Sequence, residues 1–166
     1  MFRSLVVVVV ASFRIPLAAR LPGDGKPTAS RRAHPVGMTE TINPIDRYLA
    51  AIEEATMDRC DALAPDVTLD ATVPNWRFNV VGDEAVRSEL ARWYADPGSF
   101  EELVRTPLPH GELVEFTLRW VEGGVPHAVH QAHKIEVAGD RIARDQVWCG
   151  GRWSATLLAE MADAQQ

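Results

Sequence analysis

The spacing of apolar positions predicts four helices. The clearest begins at Asn43-Pro44, where Asn can cap a helix and Pro suits its first turn. Its apolar face repeats every three or four residues and consists of Ile45, Tyr48, Leu49 and Ile52. A short helix is predicted from Asp58 to Leu63, and Pro65, two residues further on, ends it. Another begins at Gly82-Asp83, and Ser154 caps a closing helix.

The other periodic segments alternate between apolar and polar residues, as strands do when one face of a sheet is buried. Such alternation covers residues 67–73, 76–80, 100–105, 113–121, 127–137 and 141–149. Gly123-Gly124 and Gly139-Asp140 separate the last three segments as hairpin turns. Helices set apart from a run of antiparallel strands predict the α+β class. We expect a curved, mostly antiparallel sheet wrapped round a long N-terminal helix, with a cone-shaped hollow lined by both.

Residues 1–37 carry no such pattern and are expected to stand apart from a single domain at 38–166. Leu5–Ala11 is an apolar run behind Arg3, as in a signal peptide, but it is far shorter than the roughly 20 residues that span a bilayer. The rest of this segment has the composition of disordered chain. Our hypothesis is that translation begins at Met38, and a weak secretion signal is the alternative. The intact mass of the native protein decides between them.

Charge narrows the range of partners. Residues 38–166 hold 11 Lys or Arg and 22 Asp or Glu, a formal charge of −11. Such an acidic domain repels phosphate, so we expect neither nucleic-acid binding nor docking on an anionic membrane. Cys60 and Cys149 are too few for a disulfide framework, and no CxxC motif is present. The sequence therefore indicates reduced thiols in a cytoplasmic protein, without a thiolate zinc site.

Four short segments follow one another in an order that is informative when they are taken together. They are Arg47-Tyr48 in the first helix, LAPDVTLDATV at 63–73, VVGDEAV at 80–86 and VAGDRIARDQVW at 137–148. In this order they resemble the nuclear transport factor 2-like superfamily, which includes SnoaL-type polyketide cyclases, ketosteroid isomerases and scytalone dehydratase. The resemblance implies a cystatin-like fold around a pocket for a small apolar or aromatic ligand, and a homodimer.

The ketosteroid isomerase pattern is met only in part. Tyr48 falls where the resemblance implies an oxyanion-hole tyrosine, and His133 falls near the second oxyanion donor. The general-base aspartate falls at or beside Ala71, while Asp70 is one position away and therefore faces the other way along a strand. The sequence does not predict steroid isomerisation.

His127, His130 and His133 are three residues apart, a spacing that aligns side chains on a helix but not on a strand. Val125-Pro126 and the β-branched residues that follow indicate a strand, so no three-histidine metal site is expected. The inward face of this strand is predicted to carry His127, Val129, Gln131, His133, Ile135 and Val137. His130 points to the outer face, at a dimer contact.

His133 is the first candidate for proton transfer, because imidazole gives and takes protons near neutral pH. If a three-residue turn joins its strand to the next, His133 lies opposite Asp145, which would orient and stabilise an imidazolium. If Gly139-Asp140 forms a two-residue turn, His133 pairs with Gln146 instead. Asp145 then pairs with Lys134 as an outer ion pair of little energetic weight. The pattern leaves both registers open.

Two further residues are candidate catalytic groups. Asp70, if it faces the hollow, is a buried carboxylate with a raised pKa that could act as acid or base. If it faces outward, it is an ordinary surface carboxylate. Tyr48 could donate its hydroxyl to a ligand carbonyl or be a core residue.

Five tryptophans are many for a chain of this length, and aromatic walls suit flat apolar ligands. The residues predicted to contact the ligand are Trp76, Trp148, Val129, Gln131 and His127. Trp93 and Trp153 are assigned to the core.

Two functions remain open from the sequence. The first is a cofactor-free acid–base enzyme, a cyclase, isomerase or dehydratase acting on a small apolar carbonyl compound. It would use His133 with Asp145 or Asp70, and Tyr48 as the oxyanion donor. The second is a non-catalytic module that binds a ligand or forms a homodimer. Neither a metal nor a cofactor is expected in either case.

Overall fold

Six strands and three α-helices make up the fold in a computed structural model that describes residues 43–165. The strands are β1 (Leu63–Val73), β2 (Trp76–Val81), β3 (Gly98–Leu108), β4 (Gly111–Glu122), β5 (Val125–Ala138) and β6 (Arg141–Ser154). The helices are α1 (Pro44–Glu53), α2 (Asp83–Trp93) and α3 (Ala155–Ala164). The expectations for residues 1–37 lie outside the described residues. No described helix has the length and apolar character needed to cross a membrane.

The strands form one curved sheet in the order β2-β1-β6-β5-β4-β3. All neighbouring strands are antiparallel except β1 and β6, which run parallel. Helices α1 and α2 supply buried apolar side chains to the core, which packs on the inner face of the sheet. The α+β class with a curved, mostly antiparallel sheet is therefore confirmed.

Local sequence signals account for both ends of the described chain. The Asn43 side chain accepts a hydrogen bond from the Ile45 amide at 2.9 Å, and Pro44 occupies the first turn of α1. At the other end, the Ser154 hydroxyl accepts from the Leu157 amide at 3.3 Å and caps α3. Both helix starts are where the sequence predicted them.

The predicted second helix at residues 58–63 is wrong. A single 3₁₀ turn covers Met57–Arg59, and Leu63 already pairs with Ile142 as the first residue of β1. Because Leu63 is buried in the core, its extended conformation is stabilised by packing that a local pattern does not show. Pro65 lies within β1 and does not end a helix.

The hairpin between β5 and β6 has the two-residue turn, yet Asp145 does not face Lys134. Ala138 pairs with Arg141 around the turn, but the register shifts by one residue between Glu136 and Val137. Beyond this bulge Ile135 pairs with Asp145, which returns Asp145 to the inner face of the sheet.

A second bulge lies further along β6, at Gly150-Gly151. Gln131 pairs with Cys149, whereas Val129 pairs with Arg152, so β6 holds one residue more than β5 over this stretch. The bulge turns Arg152 to the inner face, where regular alternation would have put Trp153. It also carries β6 on to Ser154, five residues past its predicted end at Cys149.

Candidate functional site

His133 and Asp145 form a buried pair on the inner face of the sheet. His133 pairs with Val147 across the ladder, so Asp145 is its diagonal neighbour on β6. The His133 Nδ1 lies 2.9 Å from Asp145 Oδ2 and 3.2 Å from Oδ1, and each side chain is 1% exposed. Because a carboxylate only accepts, this contact assigns the proton to Nδ1 and leaves Nε2 of the neutral ring as an acceptor.

Helix α1 brings a third member to this pair. The Tyr48 hydroxyl donates to Asp145 Oδ2 at 2.7 Å, and the Tyr48 side chain is fully buried. Burial, followed by the charge of Asp145, raises the pKa of Tyr48 well above its ordinary value. Asp145 therefore keeps two hydrogen-bond donors in the core, which offsets the cost of removing its charge from water.

Tyr94, directly after α2, lies on the other side of His133. Its hydroxyl donates to Gln131 Oε1 at 2.8 Å and lies 3.5 Å from His133 Nε2. Burial, and then the charge of Asp145, raises the pKa of Tyr94 well above its ordinary value, so the hydroxyl stays protonated. The imidazole is held flat against Phe116, with ring centroids 5.2 Å apart and planes 22° apart.

A cavity of about 290 Å³ opens beside this cluster. Its lining is mostly apolar and consists of Val73, Pro74, Arg92, Trp93, Tyr94, Leu118, Trp120, Val129, Gln131, Cys149, Gly151 and Arg152. Tyr94 and Gln131 belong to both the lining and the hydrogen-bonded cluster, whereas His133, Asp145 and Tyr48 lie behind them. A ligand in the cavity would thus reach the buried pair through the Tyr94 hydroxyl.

Solved structures share this architecture at low sequence identity. An NTF2-like protein from Anabaena variabilis aligns with a TM-score of 0.54 and 16% identity, over 65% of this chain and 84% of its own. The chain has the nuclear transport factor 2-like fold. An LEH-like epoxide hydrolase of M. tuberculosis aligns with a TM-score of 0.51 and 20% identity, over 67% of this chain and 83% of its own.

A polyketide cyclase candidate from Pseudomonas putida aligns at a TM-score of 0.50 and 18% identity, over 68% of this chain and 92% of its own. No protein-family model matches the sequence, and no curated protein does. At such identities the likeness to solved structures shows the fold alone.

The structure places the residues predicted to contact a ligand in different surroundings. Gln131 and Val129 line the cavity. Trp76 is 69% exposed at the start of β2, and Trp148 is 43% exposed on the outer face, so neither lines the cavity. His127 does not line the cavity. It stacks on the lining residue Trp120, with ring centroids 5.5 Å apart.

Asp70 lies on the opposite face of the sheet from His133. It pairs with Gln146, and its carboxylate accepts from Arg77 Nε at 3.0 Å and from an Arg77 terminal nitrogen at 2.9 Å. These hydrogen bonds lower the pKa of Asp70, so the raised pKa expected of a core carboxylate does not occur. Successive residues of a strand point to opposite faces, and Asp70 is one position away from Ala71, which shares the face of His133. Asp70 therefore lies on the other face.

Several lining residues were not predicted as ligand contacts. Trp93 was assigned to the core, and Tyr94 follows it directly at the end of α2. A helix that lines a cavity has the same apolar period as a helix packed in a core. Trp120 and Leu118 alternate on β4 in a pattern that fits core or cavity equally. The two arginines, Arg92 and Arg152, carried no sequence signal, and the Gly150-Gly151 bulge determines the orientation of the second.

Candidate metal ligands do not gather in this domain. Among residues 43–165, no three His, Cys, Asp or Glu side chains lie together in a way that would hold an ion. Of the three histidines on β5, His130 contacts Thr117 at 3.1 Å, between Nδ1 and the hydroxyl, whereas His133 contacts Asp145. The absence of a cofactor stays a prediction.

Proposed function

We propose that this protein is a cofactor-independent acid–base enzyme, a cyclase, isomerase or dehydratase that acts on a small apolar carbonyl compound. One observation carries the proposal. A continuous line of polar contacts runs from Tyr48 through Asp145 and His133 to Tyr94, which lines the cavity. Buried polar groups in line with a ligand cavity are the arrangement that acid–base chemistry needs.

In this proposal the Tyr94 hydroxyl turns from Gln131 Oε1 to His133 Nε2 when substrate binds. Tyr94 then relays a proton and is neutral before and after the transfer. A substrate hydroxyl gives its proton to the Tyr94 oxygen while the Tyr94 hydroxyl proton passes to His133 Nε2. In the reverse direction, an imidazolium at His133 gives its Nε2 proton to Tyr94, and Tyr94 protonates a carbonyl or leaving oxygen. Because the pKa of Tyr94 is raised, a relay that never forms a free tyrosinate suits this site.

Asp145 and Tyr48 would support the relay from behind. The imidazolium formed at His133 faces the Asp145 carboxylate at 2.9 Å, which stabilises its positive charge. The 3.5 Å separation between Tyr94 and His133 would shorten when substrate fills the cavity, as often happens at catalytic hydrogen bonds. Proton transfer of this kind typically accelerates a reaction by about 10²–10⁴-fold.

The oxyanion role first assigned to Tyr48 passes to other groups. The Tyr48 hydroxyl already donates to Asp145 and is enclosed by the core, away from the cavity lining. A substrate oxygen in the cavity would meet the Gln131 amide N–H groups, and also the Tyr94 hydroxyl once it turns from Gln131 Oε1 to the substrate. Tyr48 is therefore proposed as a positioning residue for Asp145.

A second candidate function, a non-catalytic ligand-binding or homodimerising module, has an observation in its favour. Tyr48, Asp145, His133 and Gln131 all have hydrogen-bond partners within the folded chain. Such a cluster would also stabilise a core in which no chemistry occurs. Rate measurements separate the two functions, because only an enzyme depends on His133 for turnover.

The experiment uses small cyclic ketones, selected first by thermal shift as compounds that stabilise the protein. Each compound that binds is incubated with the protein in D₂O, and loss of the α-proton signal is followed by NMR. Protonation of the carbonyl oxygen speeds enolisation, in which solvent removes the α-proton. Return of the enol to the ketone then places deuterium from D₂O at that carbon. We expect His133→Gln and Tyr94→Phe to slow exchange by about 10²-fold or more.

His130→Gln is the matched control, since His130 lies three residues away on the same strand and contacts Thr117. It should leave the exchange rate within about twofold of wild type, because its contact lies outside the relay. Equal rates in the His133 and His130 variants, or binding without any exchange, would reject the enzyme and favour the module.

A further inference from the structure

The cavity lining contains two charged residues, and both are cations. Of the twelve lining residues, only Arg92 and Arg152 carry a formal charge, and the rest are apolar, aromatic or neutral polar groups. This is notable in a domain whose formal charge over residues 38–166 is −11. Acidic residues outnumber basic ones two to one in residues 38–166, whereas the charged residues of the lining are all basic.

The two arginines form a solvent-exposed part of the cavity lining. Their side chains are 72% and 50% exposed, whereas Tyr94 and Gln131 are buried. The lining therefore combines an exposed part, which carries two guanidinium groups, with a buried part, which carries a hydroxyl and an amide. A ligand that contacts both parts would need a different group for each.

Neighbouring side chains hold both cations in position. Glu89 pairs with Arg92 and also accepts from the Trp93 indole at 3.0 Å, which ties the cation to the cavity wall. Arg152 pairs with Glu122, and its guanidinium carbon lies 5.3 Å from the centre of the Trp120 ring. Each ion pair engages one terminal nitrogen, while a guanidinium has five N–H donors, so donors remain for a ligand.

We propose that the ligand of this cavity is a small apolar oxo acid, with its carboxylate held by Arg92 and Arg152 and its carbonyl oxygen at Tyr94 and Gln131. This rests on the proposed function in placing the reacting oxygen at the relay. Guanidinium groups match carboxylates in shape and charge, because two of their N–H donors can pair with the two carboxylate oxygens. The cavity volume, near the lower end of the usual range of about 300–1,000 Å³, fits a ligand of one or two rings.

Binding of an isosteric pair of compounds to the whole protein tests the charge preference. The pair is 2-naphthoate and 2-naphthamide, which share rings and shape but differ in charge, and their affinities are measured by calorimetry. We expect naphthoate to bind about tenfold more tightly than naphthamide. Arg92→Gln and Arg152→Gln should each weaken naphthoate by about three- to tenfold and leave naphthamide unchanged.

Arg119→Gln is the control, because Arg119 forms a similar exposed pair with Glu101 and does not line this cavity. It should change neither affinity. Equal affinity of wild type for the two compounds, an equal loss in the Arg119 variant, or no binding of either compound would overturn the proposal. A strong naphthoate preference without any α-proton exchange of oxo acids would leave this inference standing while the proposed enzyme fails.

Discussion

At the scale of single residues, the cluster depends on Asp145. It accepts hydrogen bonds from Tyr48 and His133, and its charge contributes to the raised pKa of both Tyr48 and Tyr94. A carboxylate enclosed in a core is stable only when its lone pairs are satisfied. Removing one donor should therefore cost more stability at Asp145 than at a neutral acceptor.

This difference predicts unequal effects of two similar substitutions. Tyr48→Phe removes a donor to a charged acceptor and should lower the free energy of unfolding by about 1.5–3 kcal/mol. Tyr94→Phe removes a donor to the neutral Gln131 amide and should lower it by about 1 kcal/mol. Urea unfolding of each variant measures both values, and a larger loss in Tyr94→Phe would contradict the role given to Asp145.

The same residues show how far sequence reasoning reaches at this scale. The chemical partnership of His133 with Asp145 was open to prediction, because imidazole and carboxylate are natural partners and lie on adjacent predicted strands. Asp70 could not be assigned, since its face depends on a strand parity that one residue of slip reverses. Tyr94 was missed as a ligand contact because a helix face lining a cavity has the same apolar period as one packed in a core.

At the scale of elements, two bulges on β6 decide which side chains reach the inner face. The first returns Asp145 to His133, and the second turns Arg152 towards the cavity. Gly151 in the second bulge has φ +85°, a left-handed conformation that disfavours side chains. A Cβ built there would lie 2.8 Å from Pro74 Cγ, so this glycine is needed for space as well as for conformation.

Gly151→Ala should therefore destabilise the protein more than a glycine substitution with conformational strain alone. Gly124 is the matched position, because its φ is +83° and a Cβ there would meet no atom within 4 Å. We expect Gly124→Ala to cost about 1–2 kcal/mol and Gly151→Ala about 1–3 kcal/mol more. Thermal or urea unfolding measures the difference, and equal losses would show that Pro74 yields without cost.

The strands themselves were predictable, but these bulges were not. Gly139-Asp140 indicated a two-residue turn, and that turn is present. The extra residue in β6 between Ile142 and Arg144 carries no turn signal, because it is an alanine with an ordinary side chain. Sheet twist and packing against β1 depend on the whole sheet. The β5–β6 register derived from the turn alone therefore holds for only two residue pairs, up to Val137 and Ile142.

At the scale of the whole molecule, the site exists only when distant parts of the chain come together. Tyr48 comes from α1, Tyr94 follows α2, and His133 and Asp145 lie on β5 and β6. These two tyrosines are the only ones in the sequence, and both are buried in the cluster. Tyrosine ionisation therefore reports on the folded state of the entire domain.

Alkaline titration should accordingly show no tyrosinate until the protein unfolds. The pKa of each tyrosine is raised above 10.0 in the folded state, so its contribution to stability is complete below pH 10 and is lost as pH rises above it. Each buried tyrosine should lower the free energy of unfolding by about 1.4 kcal/mol per pH unit in that range. Urea unfolding at a series of alkaline pH values measures this slope, which Tyr48→Phe should reduce by the contribution of one tyrosine.

A tyrosinate absorbance that rises while the circular dichroism stays native would mean that a hydroxyl reaches solvent in the folded protein. That outcome would contradict the enclosed cluster and with it the neutral relay through Tyr94.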